Sequence, residues 1–197
     1  TTVSDKPRRA EIQIEPRTRL VPHRGERPGE RLPVILETLP TLDYALLDSG
    51  NGRKLEQYGP YRIERPEGQA IWLPSLPESE WKKADAVFTG EDDDSDGRWR
   101  YLKKLPEDWP MAYGPIRFTG RFTSFRHVGV FPEQEAHWRW IAETLRQAKR
   151  PTRVLNLFAY TGLASLLAAR SGASVTHVDA SKKAIGWARE NQSASSL

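Results

Sequence analysis

The 197-residue sequence contains no cysteine. That absence removes disulfides, thiolate metal ligands and a cysteine nucleophile from the chemistry open to this chain. Long apolar runs are missing as well. None approaches the roughly 18 to 20 residues of a membrane-spanning helix, and the N-terminus lacks the apolar core of a secretory signal. The expectation is a soluble, cytoplasmic protein with no membrane partner and no metal site. A strong charge of one sign is also missing: 30 Lys and Arg against 26 Asp and Glu leave +4, with a pI near 9.4. Such a balance accommodates an anionic partner such as RNA without selecting one. What is present is 38% apolar residues and seven Trp, enough for at least one packed core.

Residues 1–40 carry Pro7, Pro16, Pro22, Pro28, Pro33 and Pro40 among many Arg and Glu, the composition of a disordered or loosely docked arm. Its basic residues either touch RNA or form a solvated tail. From 41 to 130 short strand-like runs alternate with turns, and this stretch reads as a small β-rich (α+β) domain. DYALLDSGNGRKLEQYG is a hairpin pattern, because Asn51-Gly52 suits a tight turn needing positive φ. YRIERP, QAIWLP, ADAVFTG and RWRYLKKLP follow as further strand candidates. In IRFTGRFTSF, Ile116, Phe118, Gly120 and Phe122 alternate with Arg117, Thr119, Arg121 and Thr123, the period of a half-buried strand with one basic face. EDDDSDG (91–97) has the acidic density of a calcium loop but neither its terminal Glu spacing nor flanking helices, so an acidic surface loop is expected.

Residues 131–150 read as an amphipathic connector helix. Pro132 begins it, Trp138, Ile141, Ala142, Leu145 and Ala148 recur at helical spacing, and Pro151 stops it. Glu135 and Arg139 are expected on its exposed side, and Trp138 and Trp140 are expected to pack. Beyond 151 the pattern becomes α/β. VLNLFAY has the length of a buried strand, LASLLAARSG the near-uniform apolarity of a helix pressed on a sheet, and SVTHVD the look of a second strand. Ser181 can cap the helix KKAIGWAREN. Strand, helix, strand, helix in this order opens a parallel sheet.

In such units a ligand lies beyond the carboxyl ends of the strands, and an acid ending the second strand accepts ribose hydroxyls. Asp179 stands there, with a helix-start acid favoured by the helix dipole as the other reading. The loop before the first helix is NLFAYTG, with Phe158 and Tyr160 where glycines would let a pyrophosphate approach the backbone. That disfavours NAD and leans toward an adenosine cofactor without phosphate, such as S-adenosylmethionine (SAM).

The stretch LNLFAYTGLASLLAARSGASVTHVDASKKAIGWAREN resembles the first half of a class I SAM-dependent methyltransferase domain, in the branch of bacterial 23S rRNA (cytosine-5)-methyltransferases. The resemblance rests on Asn156, Phe158, Tyr160, Thr161 and Gly162, written N-x-F-x-Y-T-G in that branch, and on V-D-x-S at Asp179 and Ser181. It implies a Rossmann-like fold, SAM as cofactor and methyl transfer to a nucleic-acid acceptor, rRNA. Among the residues it implicates in SAM binding are Phe158, Tyr160, Thr161, Gly162, Asp179, Ala180 and Ser181. HVGVFPEQ is similar to a segment that lines the SAM pocket, adding Phe131, Pro132, Glu133 and Gln134, which also read as a turn and helix start. Arg117, Arg121, Arg126 and His127 form a candidate RNA surface or an ordinary solvated strand face. Measured against this family, residues 151–197 correspond to the first βαβα only, so the chain is expected to be an N-terminal portion of a methyltransferase. Its Asp-Pro-Pro-type motif and cysteine nucleophile are absent, and no residue is assigned a bond-making role. Two other readings remain: a non-catalytic RNA-binding or interaction module, and a methyltransferase with a non-RNA substrate.

Overall fold

In the computed structural model, which describes residues 36–90 and 97–197, the Asn51-Gly52 turn follows from its residues. Both adopt left-handed φ, 52° and 73°, and join β1 (Tyr44–Gly50) to β2 (Arg53–Tyr58) as an antiparallel hairpin. β3 (Tyr61–Pro66) returns antiparallel beside β2. A one-turn helix, α1 (Glu78–Trp81), then leads to β4 (Ala86–Thr89), which lies parallel to β3, and β5 (Arg98–Tyr101) pairs antiparallel with β4. The sheet order is β1-β2-β3-β4-β5. Of the arm expected over 1–40 and the acidic loop expected over 91–97, residues 1–35 and 91–96 lie outside the described residues.

QAIWLP is not a strand. Its backbone turns away because Asn51 and Gly52 donate to the carbonyls of Trp72 and Ala70, both at 2.8 Å, while the buried carboxylate of Asp48 gathers the next segment. Asp48 accepts from Ser75 N at 3.1 Å, Leu76 N at 2.8 Å and Trp81 Nε1 at 3.0 Å. Burial pushes this carboxyl upward, but those donors outweigh it and hold the pKa below the usual carboxylate range. A buried acid thus replaces the sheet ladder as this segment's organiser.

A second hairpin joins β6 (Asp108–Tyr113) to β7 (Ile116–Arg121). The alternation in β7 is as its sequence requires, with Ile116, Phe118 and Gly120 buried. Gly120 lies beneath the Trp109 ring, with which an added Cβ would collide. β6 has no comparable signal, because Pro110 argues against a central strand. It is tolerated because the hairpin has only two strands, leaving Pro110 on an edge.

The connector begins as a 3₁₀ turn, Pro132–Gln134, and continues as α2 (Glu135–Gln147). Trp138 packs in the core, whereas Trp140 is exposed. Glu135 overturns its expected place on the exposed side. It is 3% exposed, and its Oε1 accepts from Tyr113 Oη and pairs with Arg139 Nε, each at 2.8 Å. The hydroxyl and the guanidinium both meet Oε1, while Oε2 is buried without a hydrogen-bond partner among the described residues.

β8 (Arg153–Leu157), α3 (Leu163–Arg170), β9 (Ser174–Val178) and α4 (Lys182–Ala194) follow, with β8 parallel to β9 and Asn156 opposite His177. Ser181 caps α4 by accepting from Ala184 N at 3.2 Å. The strand read as buried is shorter than VLNLFAY and only half-covered: Leu155 and Leu157 are exposed, because among the described residues α3 covers only the opposite face. The main core runs from Tyr58 and Ile63 through Trp109, Met111, Ile116 and Phe118 to Leu163, Leu166 and Leu167. It therefore joins β2, β3 and the second hairpin to the helix that follows the candidate cofactor loop.

Beside that core, Arg65 on β3 makes a bidentate pair with Glu56 on β2, at 2.8 and 2.9 Å. Both are buried, and Tyr44 and Tyr58 hydroxyls donate to the same carboxylate. The remaining guanidinium arm donates to the carbonyl of Arg126 at 3.0 Å, fixing the start of the segment that reaches the site.

Candidate cofactor site

The loop between β8 and α3 keeps the backbone of a glycine loop with only its last residue a glycine. Phe158, Tyr160 and Gly162 all have left-handed φ, at 54°, 49° and 91°. For an L-residue this costs about 1 to 2 kcal/mol, so surrounding contacts have to impose it at Phe158 and Tyr160. Ala159 N donates to the Val178 carbonyl and Gly162 N to the Ala159 carbonyl, both at 3.0 Å. Tyr160 N donates to Asp179 Oδ2 at 2.9 Å. Thr161 is anchored at both ends: its hydroxyl donates to the Gly129 carbonyl at 2.6 Å, and its carbonyl accepts from Asn191 Nδ2 at 2.9 Å.

Asp179 ends β9 and joins the loop to α4. Besides Tyr160 N, it accepts from Ser181 N through Oδ1 at 2.8 Å. These two amides hold its pKa below the usual carboxylate range. Each carboxylate oxygen retains a lone pair for a ligand hydroxyl. Asn156, beneath the loop, donates to Ser165 Oγ at 2.9 Å, and Ser165 Oγ lies 3.0 Å from His177 Nδ1. Burial lowers the His177 pKa, partly countered by the nearby Asp179 charge.

An open cleft of about 350 Å³ brings Phe131, Glu133 and Gln134 against Phe158 through Gly162. Phe158 is 91% exposed. Phe131 and Tyr160 have ring centroids 5.0 Å apart, and Trp187 lies 6.2 Å beyond Tyr160. Pro132 is turned to the other side, where its carbonyl accepts from Thr38 Oγ1 at 3.3 Å. Asp179 is connected through Tyr160 N rather than lining this cleft, and Ser181 is engaged as a helix cap. Ala180 is exposed between them. The Thr161 side chain is buried and committed to Gly129, so its backbone is the part that borders the cleft.

The residues read as an RNA surface do not form one open basic face. Arg121 pairs with Asp108 and Glu190 and lies 4.9 Å from the Trp187 ring centroid. Arg117 is exposed near the opposite end of β7 and donates to the Gly114 carbonyl. Arg126 contributes its carbonyl to Arg65. The His127 ring sits 4.8 Å from Phe131, and burial, reinforced by the Arg65 charge, lowers its pKa to about 4.

Two supports escaped the sequence reading. Asn191 is fully buried, and its Oδ1 accepts from Thr119 N at 3.0 Å while its amide holds Thr161. It sits in a polar run that reads as a solvated helix end, which gives no local signal. Gly129 has φ of 99°, and a Cβ there would strike Trp187. Its signal was a glycine between two valines, Val128 and Val130, consistent with close backbone approach. Among the described residues no helix is long and apolar enough to cross a membrane.

A crystal structure of a SAM-dependent methyltransferase from Agrobacterium tumefaciens is 59% identical to this chain, with a TM-score of 0.80 over 84% of the chain and 53% of that protein. The chain is thus similar to a SAM-dependent methyltransferase over most of its own length. No family model matches it. Ribosomal RNA large subunit methyltransferase K/L from Shewanella oneidensis is 41% identical over 80 residues, which is 40% of this chain and 10% of that protein. The Shewanella baltica protein of the same name has the same identity over 80 residues and 11% of its length. A Streptococcus mutans structure described as a SAM-dependent methyltransferase shares the fold at a TM-score of 0.57, with 19% identity over 79% of this chain and 43% of that one, and a methyltransferase structure complexed with SAH matches with the same values. The chain thus spans about half of the Agrobacterium protein and about a tenth of the curated relatives.

Proposed function

We propose that the segment from His127 onward forms the SAM-binding portion of a methyltransferase whose acceptor is nucleic acid, with large-subunit rRNA favoured, and that residues 41–130 serve as its small β-rich accessory domain. The observation that carries the cofactor reading is the Asp179 carboxylate at the end of β9, hydrogen-bonded to the amide of Tyr160 within a loop preset in left-handed conformations. The donor set fits SAM: a carboxylate with spare lone pairs for ribose hydroxyls, an aromatic cleft, and no need for a pyrophosphate to approach the loop. Large-subunit rRNA is favoured by the names of the Shewanella relatives.

When bound, SAM supplies a sulfonium methyl for direct displacement by the acceptor. The chain's own contribution is orientation, which can provide much of the rate in such a transfer. Asp179 would accept from the ribose hydroxyls, and the backbone at Thr161 and Gly162 would meet the methionine end. Phe131, Phe158 and Tyr160 wall the cleft, with Glu133 and Gln134 at its rim.

Calorimetric titration of the protein with SAM and with S-adenosylhomocysteine tests this assignment. Asp179→Ala should weaken both by about 10- to 100-fold, the scale of charge-assisted hydrogen bonds. Unchanged affinity would remove Asp179 from the site. Transfer of labelled methyl from SAM to deproteinised large-subunit rRNA, with DNA and protein as competing acceptors, tests the acceptor. Transfer only to protein would overturn the nucleic-acid reading while leaving SAM binding intact.

A further inference from the structure

A second surface lies on β5, the outer strand of the five-stranded sheet. The segment RWRYLKKLP contains Arg98, Arg100, Lys103 and Lys104 without an acidic residue. Trp99 and Tyr101 both meet Phe122 edge-on, with centroids 4.8 and 5.2 Å apart. Trp99 Nε1 also donates to the Phe125 carbonyl at 3.0 Å. These contacts hold the Tyr101 ring and the Phe125 backbone, and both side chains remain open to solvent: Tyr101 is 52% exposed and Phe125 is 62% exposed. Beside them is an open cleft of about 460 Å³, lined by Tyr101, Phe122, Lys103, Lys104 and Glu107 among others. Lys103 pairs with Asp85, while Lys104 makes no ion pair with another described residue.

Cations on an outer strand also protect it from edge-to-edge pairing. That role does not require half-exposed aromatic rings held beside them. Arg98 and Arg100 alternate to the opposite face, where Arg100 lines a different cleft, so the positive charge beside Tyr101 comes from Lys103 and Lys104. Accessible rings, an adjoining cleft and these lysines match the requirements of unpaired bases and phosphates, because stacking needs an accessible ring and the backbone needs positive charge.

We propose that this face of β5 docks single-stranded RNA, with Tyr101 and Phe125 stacking on bases and Lys104 contacting phosphate. The proposal rests on the nucleic-acid reading above and places RNA contact away from the loop at Phe158. It also moves the RNA contact from the Arg121 face, whose charge is engaged by Asp108 and Glu190.

Fluorescence anisotropy of the full chain with a labelled oligouridylate of about twelve nucleotides supplies the test. Tyr101→Ala and Phe125→Ala should each weaken binding about tenfold, while Tyr101→Phe should bind as the parent does because the stacking ring remains. Lys104→Ala should reduce the logarithmic salt slope by about one, whereas Arg117→Ala should leave both affinity and slope unchanged. Circular dichroism of each variant establishes whether its fold is retained. Should the parent bind while folded Tyr101→Ala and Phe125→Ala bind equally well, the β5 surface is overturned and the nucleic-acid reading stands. Equal competition by an RNA duplex would also overturn the stacking assignment. If the parent binds no RNA even at low salt, both readings fall.

Discussion

Asn191 uses both ends of one amide to hold groups from different parts of the molecule: Thr119 N on β7 and the Thr161 carbonyl in the loop. Asn191→Leu would remove both bonds at a fully buried position. The expected cost is about 2 to 4 kcal/mol in chemical denaturation, because two backbone groups lose their partners. SAM affinity should fall as well. Gly129→Ala should be destabilising by about 1 to 3 kcal/mol, since the new methyl strikes the Trp187 ring and the backbone has φ of 99°. A thermal melt showing no loss would remove Gly129 from the loop's support. At this scale the candidate site was partly legible. Phe158, Tyr160, Gly162 and Asp179 stand out as candidates because their order and spacing are local, and the structure brings the first three to one cleft, whereas Asn191 matters through two distant backbone groups that no local pattern specifies.

The elements show the same division between local and distant causes. The β1-β2 hairpin was legible because Asn51-Gly52 specifies its turn, and α3, β9 and α4 because periodicity and the Ser181 cap specify theirs. β6 was hidden by Pro110, which only an edge position makes acceptable. The QAIWLP segment misled because its apolar residues fit a strand, while Asp48, far earlier in the chain, collects the donors that follow it. The pairing of β2 with β3 carries a further internal commitment in Glu56 and Arg65. Replacing one partner strands the other in the core, so Arg65→Met should cost about 3 to 5 kcal/mol by urea denaturation. The Glu56→Leu/Arg65→Met double variant should recover part of that loss. A double variant as unstable as the single one would show that the guanidinium's bond to the Arg126 carbonyl outweighs the pair itself.

Across the whole molecule, His127 links the buried Arg65 network to the ring of Phe131, so its protonation bears on both. Its pKa is about 4 in the folded chain, against an ordinary value of 6.5. Between those values the unfolded state binds more protons, so this residue makes stability fall as pH drops from about 6.5 toward 4 and adds no further slope below. Urea midpoints at pH 7 and pH 5 should show that fall, and His127→Phe should reduce it; an unchanged difference would assign the acid sensitivity to other groups. The main core runs through the same region, joining β2 and β3 to α3, which is why a change near the accessory sheet is expected at the loop. Helix α4 is fixed at two points, the cap at Ser181 and the bridge at Asn191. Adding or deleting one residue between them would turn Asn191 by about 100° around the helix axis and detach it from both Thr119 and Thr161. The exposed side chains along this stretch can therefore be exchanged freely, whereas its length is fixed by the two anchors.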